Sequence, residues 1–105
     1  MLNQNQTIYI IDDDEALCNA LSWLLESVNL KVKVYHSPIK FLEEYQSSWR
    51  GCLIIDIRMP QMSGLQLQEH LIRLGSFIPI IMISGHGDIS MAVRAMKAGA
   101  AWQSH

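Results

Sequence analysis

The sequence lacks the features that mark several large classes of protein. It has 105 residues with only two cysteines, Cys18 and Cys52, which are too few and too scattered for a disulfide framework or a zinc site. No apolar run approaches the roughly 20 residues that cross a bilayer, and residues 1–6 have neither the basic nor the apolar part of a secretory signal. We therefore expect a cytoplasmic protein with two reduced, buried thiols and no membrane partner.

The chain also lacks an excess of charge of either sign. Eight basic residues stand against ten acidic ones, which gives a net charge of −2. Non-specific binding to nucleic acid needs a basic excess, so we expect no direct nucleic-acid binding by this chain. With 50% hydrophobic residues, residues 1–105 are enough for a single folded domain rather than a disordered chain. The acids are unevenly placed, because four of the ten stand together at residues 12–15.

Short apolar runs alternate with amphipathic stretches along the sequence. The runs have the length of strands, and they cover residues 8–11, 31–35, 53–55 and 78–83. Three of these four runs are continuously apolar, as in strands that are buried on both faces. Strands that alternate with helices predict an α/β fold, a doubly wound parallel sheet with helices on both faces.

The stretches between the runs predict helices with recognisable ends. The first has an apolar face that extends to Val28, and the second begins with Ser37 as N-cap before Pro38. The third helix has an apolar face of Leu67, Leu71 and Leu74 and ends at Gly75. The fourth begins at Asp88 and ends at Gly99.

Ligands of an open parallel sheet bind beyond the carboxyl ends of its strands. The first strand ends at Asp12 and Asp13, the third at Asp56 and the fourth at Ser84. Clustered carboxylates suit Mg²⁺, and a carboxylate can attack phosphorus to form an aspartyl-phosphate. Ser84 offers a hydroxyl to a phosphoryl oxygen. The pattern favours a metal-assisted phosphoacceptor.

Ordinary structural roles account for some of the polar residues near these ends. We expect Asp14 to cap the first helix, where a carboxylate is stabilised by the helix dipole. The end of the second strand, Tyr35 and His36, is chemically quieter, and His86 is assigned no role. Taken alone, Ser84 would be read as a turn hydroxyl and Asp56 as a loop acid. Asp56 gains weight because it directly ends a buried strand.

Several motifs together resemble a known family. They lie at residues 8–14, 56–60, 63–65, 79–88 and 92–100, in family order and at family spacing. In these segments the chain resembles the receiver domain of two-component response regulators, and it is similar to the FixJ type, whose output domain is a LuxR-type helix-turn-helix. The resemblance implies a flavodoxin-like, CheY-like receiver fold.

The resemblance also implies a role for each matching residue. Asp56 would be the phosphoacceptor, and Asp12 and Asp13 would position Mg²⁺ together with Asp56 and the backbone carbonyl of Arg58. Ser84 would be the switch hydroxyl that moves toward the attached phosphoryl group. The donor would be a sensor histidine kinase or a small acyl phosphate. The module would be a signalling phosphoacceptor in a phosphorelay that controls transcription, not a turnover enzyme.

The family pattern continues beyond the point where this sequence stops. In the family, an aromatic switch residue is followed by a fifth strand, a Lys-Pro pair and a fifth helix. Trp102 matches the aromatic residue only with a one-residue shift. Lys97 lies inside the predicted fourth helix and is not that lysine. We therefore expect a truncated receiver with four βα units and no output domain. We expect the apolar edge of its fourth strand to be covered by a second copy of the chain or by the C-terminal tail. A dimer contact through helix four is the alternative.

Two functions stay open at this point. The first is the phosphoacceptor receiver, and the alternative is a phosphorylation-impaired pseudo-receiver or fragment that acts as a protein-interaction module. A hydrolase with an aspartyl-phosphate intermediate is weaker, because a haloacid-dehalogenase-like enzyme would have a second Asp two residues after the nucleophile, where this chain has Arg58.

Overall fold

Strands and helices alternate along the chain in the computed structural model, which describes residues 6–83. The elements are β1 (Thr7–Ile11), α1 (Glu15–Glu26), β2 (Lys31–Tyr35), α2 (Pro38–Glu44), β3 (Gly51–Asp56), α3 (Gly64–Arg73) and β4 (Ile80–Ile83). The strands form one parallel sheet in the order β2-β1-β3-β4. The predicted α/β fold is confirmed, and the predicted fourth helix lies outside the described residues.

The core has two parts, one on each face of the sheet. The α1 face is buried against alternate residues of β1 and β3, and the buried side chains of this part are Ile8, Ile10, Leu17, Cys18, Leu21, Leu25, Cys52, Ile54 and Ile83. Helices α2 and α3 cover the other face, and the buried side chains there are Tyr9, Ile11, Tyr35, Phe41, Leu53, Ile55, Met59, Leu67 and Leu71. Successive residues of a strand point to opposite faces, so continuously apolar strands require helices on both. Both cysteines are buried and unbridged, as predicted.

Each helix begins at a residue that satisfies its first backbone N–H groups. The Asp14 carboxylate accepts a hydrogen bond from the N–H of Leu17 at 3.1 Å at the start of α1. The Ser37 hydroxyl accepts from the first turn of α2, ahead of Pro38. Helix α3 begins with a capping box in which Ser63 is the N-cap. The predicted N-caps Asp14 and Ser37 are therefore confirmed.

Three predicted positions differ in the structure, each for a local reason. Val28 lies beyond the end of α1, because the chain turns at Asn29, which has a φ of 67°. Leu74 is not buried but 55% exposed, since it caps α3 instead of continuing its apolar face. The fourth strand begins at Ile80 rather than at residue 78, because Pro79 has no N–H to donate to a ladder.

Within residues 6–83, β2 and β4 are the edges of the sheet. The carbonyl group of Pro79, just before β4, still accepts a hydrogen bond from Leu53 at 2.9 Å, so β4 is aligned with β3 from its first residue. Cover of the β4 edge by a second copy of the chain, or by the residues that follow, stays a prediction. The alternative contact through helix four falls outside the described residues.

All three helices of the described region are short. The longest of them, α1, has 12 residues. A bilayer needs roughly 20 apolar residues, and no helix in residues 6–83 has the length and apolarity to cross one.

Candidate metal-binding site at the carboxyl edge of the sheet

Parallel pairing of β1 with β3 brings the acidic residues together. Ile11 pairs with Ile55, so the next residues, Asp12 and Asp56, leave neighbouring strands at the same level. One carboxylate oxygen from each of Asp12, Asp13 and Asp56 lies within 4.8 Å of the other two. We call these three residues the carboxylate cluster.

The members of the carboxylate cluster differ in exposure. Asp13 is exposed, Asp56 is half-buried, and Asp12 is only 2% exposed. Asp12 Oδ1 accepts a hydrogen bond from the backbone N–H of Asp14 at 2.9 Å. Its other oxygen, Oδ2, is buried and has no hydrogen-bond partner among the described residues. A buried carboxylate oxygen without a partner is costly, so the site favours a cation.

The electrostatics of the cluster lead to the same conclusion. Burial raises the pKa of Asp12 to about 6, and the Asp56 and Asp13 carboxylates act in the same direction, against the hydrogen bond from Asp14. The ion pair found within residues 6–83 joins Lys33 to Glu44 on the outer part of the molecule and leaves the cluster uncompensated. Close carboxylates of this kind are the hard oxygen ligands that Mg²⁺ prefers, and the donor set fits that ion.

Hydrogen bonds hold the chain that follows Asp56. Arg58 donates its backbone N–H to Asp56 Oδ1 at 3.2 Å, and Ile57 donates to the Ile83 carbonyl at 2.9 Å. The N–H of Gly64 then donates to the Ile57 carbonyl at 3.0 Å. A Cβ on Gly64 would lie 2.7 Å from the Asp56 carbonyl oxygen, so only glycine lets α3 begin this close to the acid.

The structure thus brings together three of the predicted site residues, Asp12, Asp13 and Asp56. Arg58 lies directly beside them through its N–H, and the use of its carbonyl as a ligand stays a prediction. Ser84 lies outside the described residues. The residue before it, Ile83, pairs with Asp56 across β3 and β4.

Two residues that contact the site had no role in the sequence analysis. The Asp12 carbonyl oxygen lies 3.2 Å from Nδ1 of His36 and 3.4 Å from Sγ of Cys18, which donates to it. Burial, followed by the charge of Asp12, raises the pKa of the Cys18 thiol to about 12, so the thiol keeps its proton. His36 directly follows β2, whose Tyr35 pairs with Ile11. The strand-end rule pointed to His36 in the sequence, but the residue was read as chemically quiet and given no role.

The chain matches known proteins over almost its whole length. Residues 8–102 match the family model described as the response regulator receiver domain. The response regulator protein TmoT of Ectopseudomonas mendocina is 55% identical over 100 residues, which is 95% of this chain and 46% of TmoT. The transcriptional regulatory protein FixJ of Azorhizobium caulinodans is 44% identical over 94 residues, which is 90% of this chain and 44% of FixJ. The chain therefore spans less than half the length of these relatives.

Solved structures agree with the sequence matches. The crystal structure of FixJ-N superposes with a TM-score of 0.74 at 43% identity, over 93% of this chain and 78% of that one. The low-resolution structure of the response regulator StyR superposes with a TM-score of 0.75 at 45% identity, over 91% of this chain and 48% of StyR.

Proposed function

Because the chain belongs to the response regulator receiver domain family, we propose that Asp56 accepts a phosphoryl group from a sensor histidine kinase. The observation that carries this proposal is the carboxylate cluster, in which the oxygens of Asp12, Asp13 and Asp56 lie within 4.8 Å of one another. The buried Oδ2 of Asp12, which lacks a partner among the described residues, supports a cation at the same place.

In this proposal Asp12, Asp13, Asp56 and the backbone carbonyl of Arg58 hold Mg²⁺. The fit rests on the all-oxygen donor set and on the crowding of negative charge, since no ion pair within residues 6–83 involves the carboxylate cluster. When bound, Mg²⁺ offsets the charge of the phosphoryl oxygens, which is where catalysis of phosphoryl transfer mostly acts.

The side chains supply a fixed nucleophile. An oxygen of the Asp56 carboxylate attacks the phosphorus of the donor, the P–N bond of phosphohistidine breaks, and its electron pair stays on the imidazole nitrogen, which takes a proton from water. The hydrogen bond from Arg58 to Asp56 Oδ1 supports the orientation of the acid. The product is an aspartyl-phosphate that carries a signal, so the module acts as a signalling protein rather than a turnover enzyme. The role of Ser84 as the switch hydroxyl that moves toward the phosphoryl group stays a prediction.

The proposal extends to the longer proteins in which such domains occur. TdiR of Thauera aromatica and FixJ of Azorhizobium caulinodans are named transcriptional regulatory proteins, and this chain spans 41% and 44% of their lengths. We propose that phosphorylation of Asp56 controls transcription through a DNA-binding output domain of such a longer protein.

Phosphorylation in solution tests the proposal directly. We expect incubation of the chain with acetyl phosphate and Mg²⁺ to add the mass of one phosphoryl group, and we expect excess EDTA to prevent the gain, because the carboxylate cluster then repels the donor. Intact-mass spectrometry measures both. A chain that is folded by circular dichroism and gains no mass at any donor concentration would overturn the proposal in favour of the pseudo-receiver that acts as an interaction module.

A further inference from the structure

A cavity of about 300 Å³ lies at the end of the sheet opposite the carboxylate cluster. It opens between the loop that joins α2 to β3 and the loop that joins α3 to β4, at the start of β3. Since β3 runs from Gly51 at the cavity to Asp56, roughly 17 Å of strand separates the cavity from Asp56. A molecule bound here therefore touches none of the residues proposed to take part in phosphorylation.

The walls of the cavity combine polar and apolar side chains, and contacts between side chains hold them in place. Trp49 stacks on Tyr9 with ring centroids 4.7 Å apart, and the Lys33 amine lies 6.0 Å from the centre of the same indole ring. In the lining of the cavity, the hydroxyls of Tyr45 and Ser76 lie 2.5 Å apart and join the two loops. These contacts make a site that is formed before any ligand arrives, as is usual for small-molecule sites.

One apolar side chain at this cavity, that of Phe77, is almost fully exposed to solvent. Phe77 lines the cavity and is 95% exposed, the largest exposure among the large apolar side chains described. A lone exposed leucine is ordinary, but a phenyl ring that forgoes almost all burial gives up a large part of its hydrophobic stabilisation. The ring is available to pack against an apolar group that enters the cavity.

The polar groups at the cavity favour an anion. Arg50 lines it, and within residues 6–83 the Arg50 guanidinium has neither a hydrogen bond nor an ion pair. The indole N–H of Trp49 also has no hydrogen-bond partner there. No Asp or Glu is among the lining residues. Arg50 is exposed, and its backbone is anchored to β1 because its carbonyl accepts the N–H of Thr7 at 2.9 Å.

We propose that this cavity binds a small aromatic carboxylate, with the carboxylate paired to Arg50 and the ring packed against Phe77. A guanidinium pairs with a carboxylate through two parallel hydrogen bonds, which selects this anion by shape as well as charge. The volume of about 300 Å³ is at the small end of ligand sites and suits a single ring with a short acidic side chain.

Titration of the ¹⁵N-labelled chain with phenylacetate tests the proposal. We expect saturable shifts of the backbone amides at residues 47–51 and 75–78, with a Kd in the millimolar range or tighter. Phenylacetamide, which lacks the charge, and acetate, which lacks the ring, should not saturate at the same concentrations. Arg50→Gln should weaken binding about tenfold because one charge-assisted contact is lost. Phe77→Ser should weaken it about tenfold because apolar contact with the ring is lost.

Two controls separate this site from general charge effects and from the phosphorylation site. Arg73→Gln removes a charge from an exposed arginine that does not line the cavity, so it should leave the Kd unchanged. Asp56→Asn should also leave it unchanged, so the two proposals can fail independently. The amide spectrum of each variant reports whether it is folded.

Three results would overturn the proposal. Equal saturation by acetate would mean an adventitious anion only. Unchanged binding by Arg50→Gln would remove the proposed ion pair. Shifts that follow protein concentration instead of phenylacetate, and vanish in Phe77→Ser, would make this face a contact between copies of the chain.

Discussion

Asp56→Asn is expected to abolish the mass gain from acetyl phosphate entirely. The amide has nearly the shape of the carboxylate but is not a nucleophile toward phosphorus, so the acceptor is lost while the fold is kept. The variant should also stay folded without metal. Replacing one of three carboxylates that lie within 4.8 Å of one another lowers their repulsion, and the melting temperature in EDTA should be equal to or higher than that of the wild type.

Asp14→Asn is the matched control, because Asp14 belongs to the same acidic run but caps α1 instead of joining the carboxylate cluster. Asparagine is as good an N-cap as aspartate, so this variant should keep both its fold and its full mass gain. A mass gain that persists in Asp56→Asn would place the acceptor on another residue. A gain that is lost equally in Asp14→Asn would show that acidity of the run as a whole, not one nucleophile, is required.

Among Gly→Ala substitutions at the glycines within residues 6–83, Gly51→Ala is expected to lower the free energy of unfolding most. Gly51 opens β3 with a φ of +133°, and a Cβ there would lie 1.8 Å from the backbone oxygen of Thr7. No side-chain rotation relieves a clash with backbone, so β1 and β3 must separate at their first pair. Backbone strain and overpacking together should cost at least about 3 kcal/mol, measured as the free energy of unfolding in urea.

Gly75→Ala controls for the conformational cost alone. Gly75 also has a positive φ, of 80°, but nothing lies within 4 Å of the position of its Cβ. Its replacement should cost only about 1 kcal/mol, the usual penalty for alanine in the left-handed region. If the two variants unfold at the same urea concentration, the close approach of β3 to Thr7 does not limit stability.

The features that the sequence predicted correctly depend on short stretches of chain. The apolar runs before Asp12 and Asp56 predict strands because a strand buried on both faces needs no polar residue. Asp14 and Ser37 could be predicted as N-caps because capping joins a side chain to N–H groups only two or three residues ahead. The errors occurred at element ends. Leu74 continues an apolar spacing, yet it is exposed because α3 ends one residue before it.

The contacts missed by the sequence analysis are those that depend on how the elements pack together. His36 and Cys18 both meet the carbonyl of Asp12, from 24 residues after it and from six residues after it. Neither contact belongs to a motif, since each depends on the pairing of β1 with β2 and on the way α1 packs against the sheet. The cavity beside Arg50 is a similar case, because it is formed by two loops that are far apart in the sequence.

Local sequence patterns were enough for the α/β class, the order of the described elements and the presence of carboxylates at the strand ends, because strand period, helix caps and strand-end residues are properties of neighbouring residues. Which acids meet depends on how the strands pair. The parallel register of Ile11 with Ile55 places Asp12 beside Asp56, and burial then leaves one oxygen of Asp12 without a partner in the described residues. Register and burial depend on the whole sheet and its two cores, and no local pattern contains them.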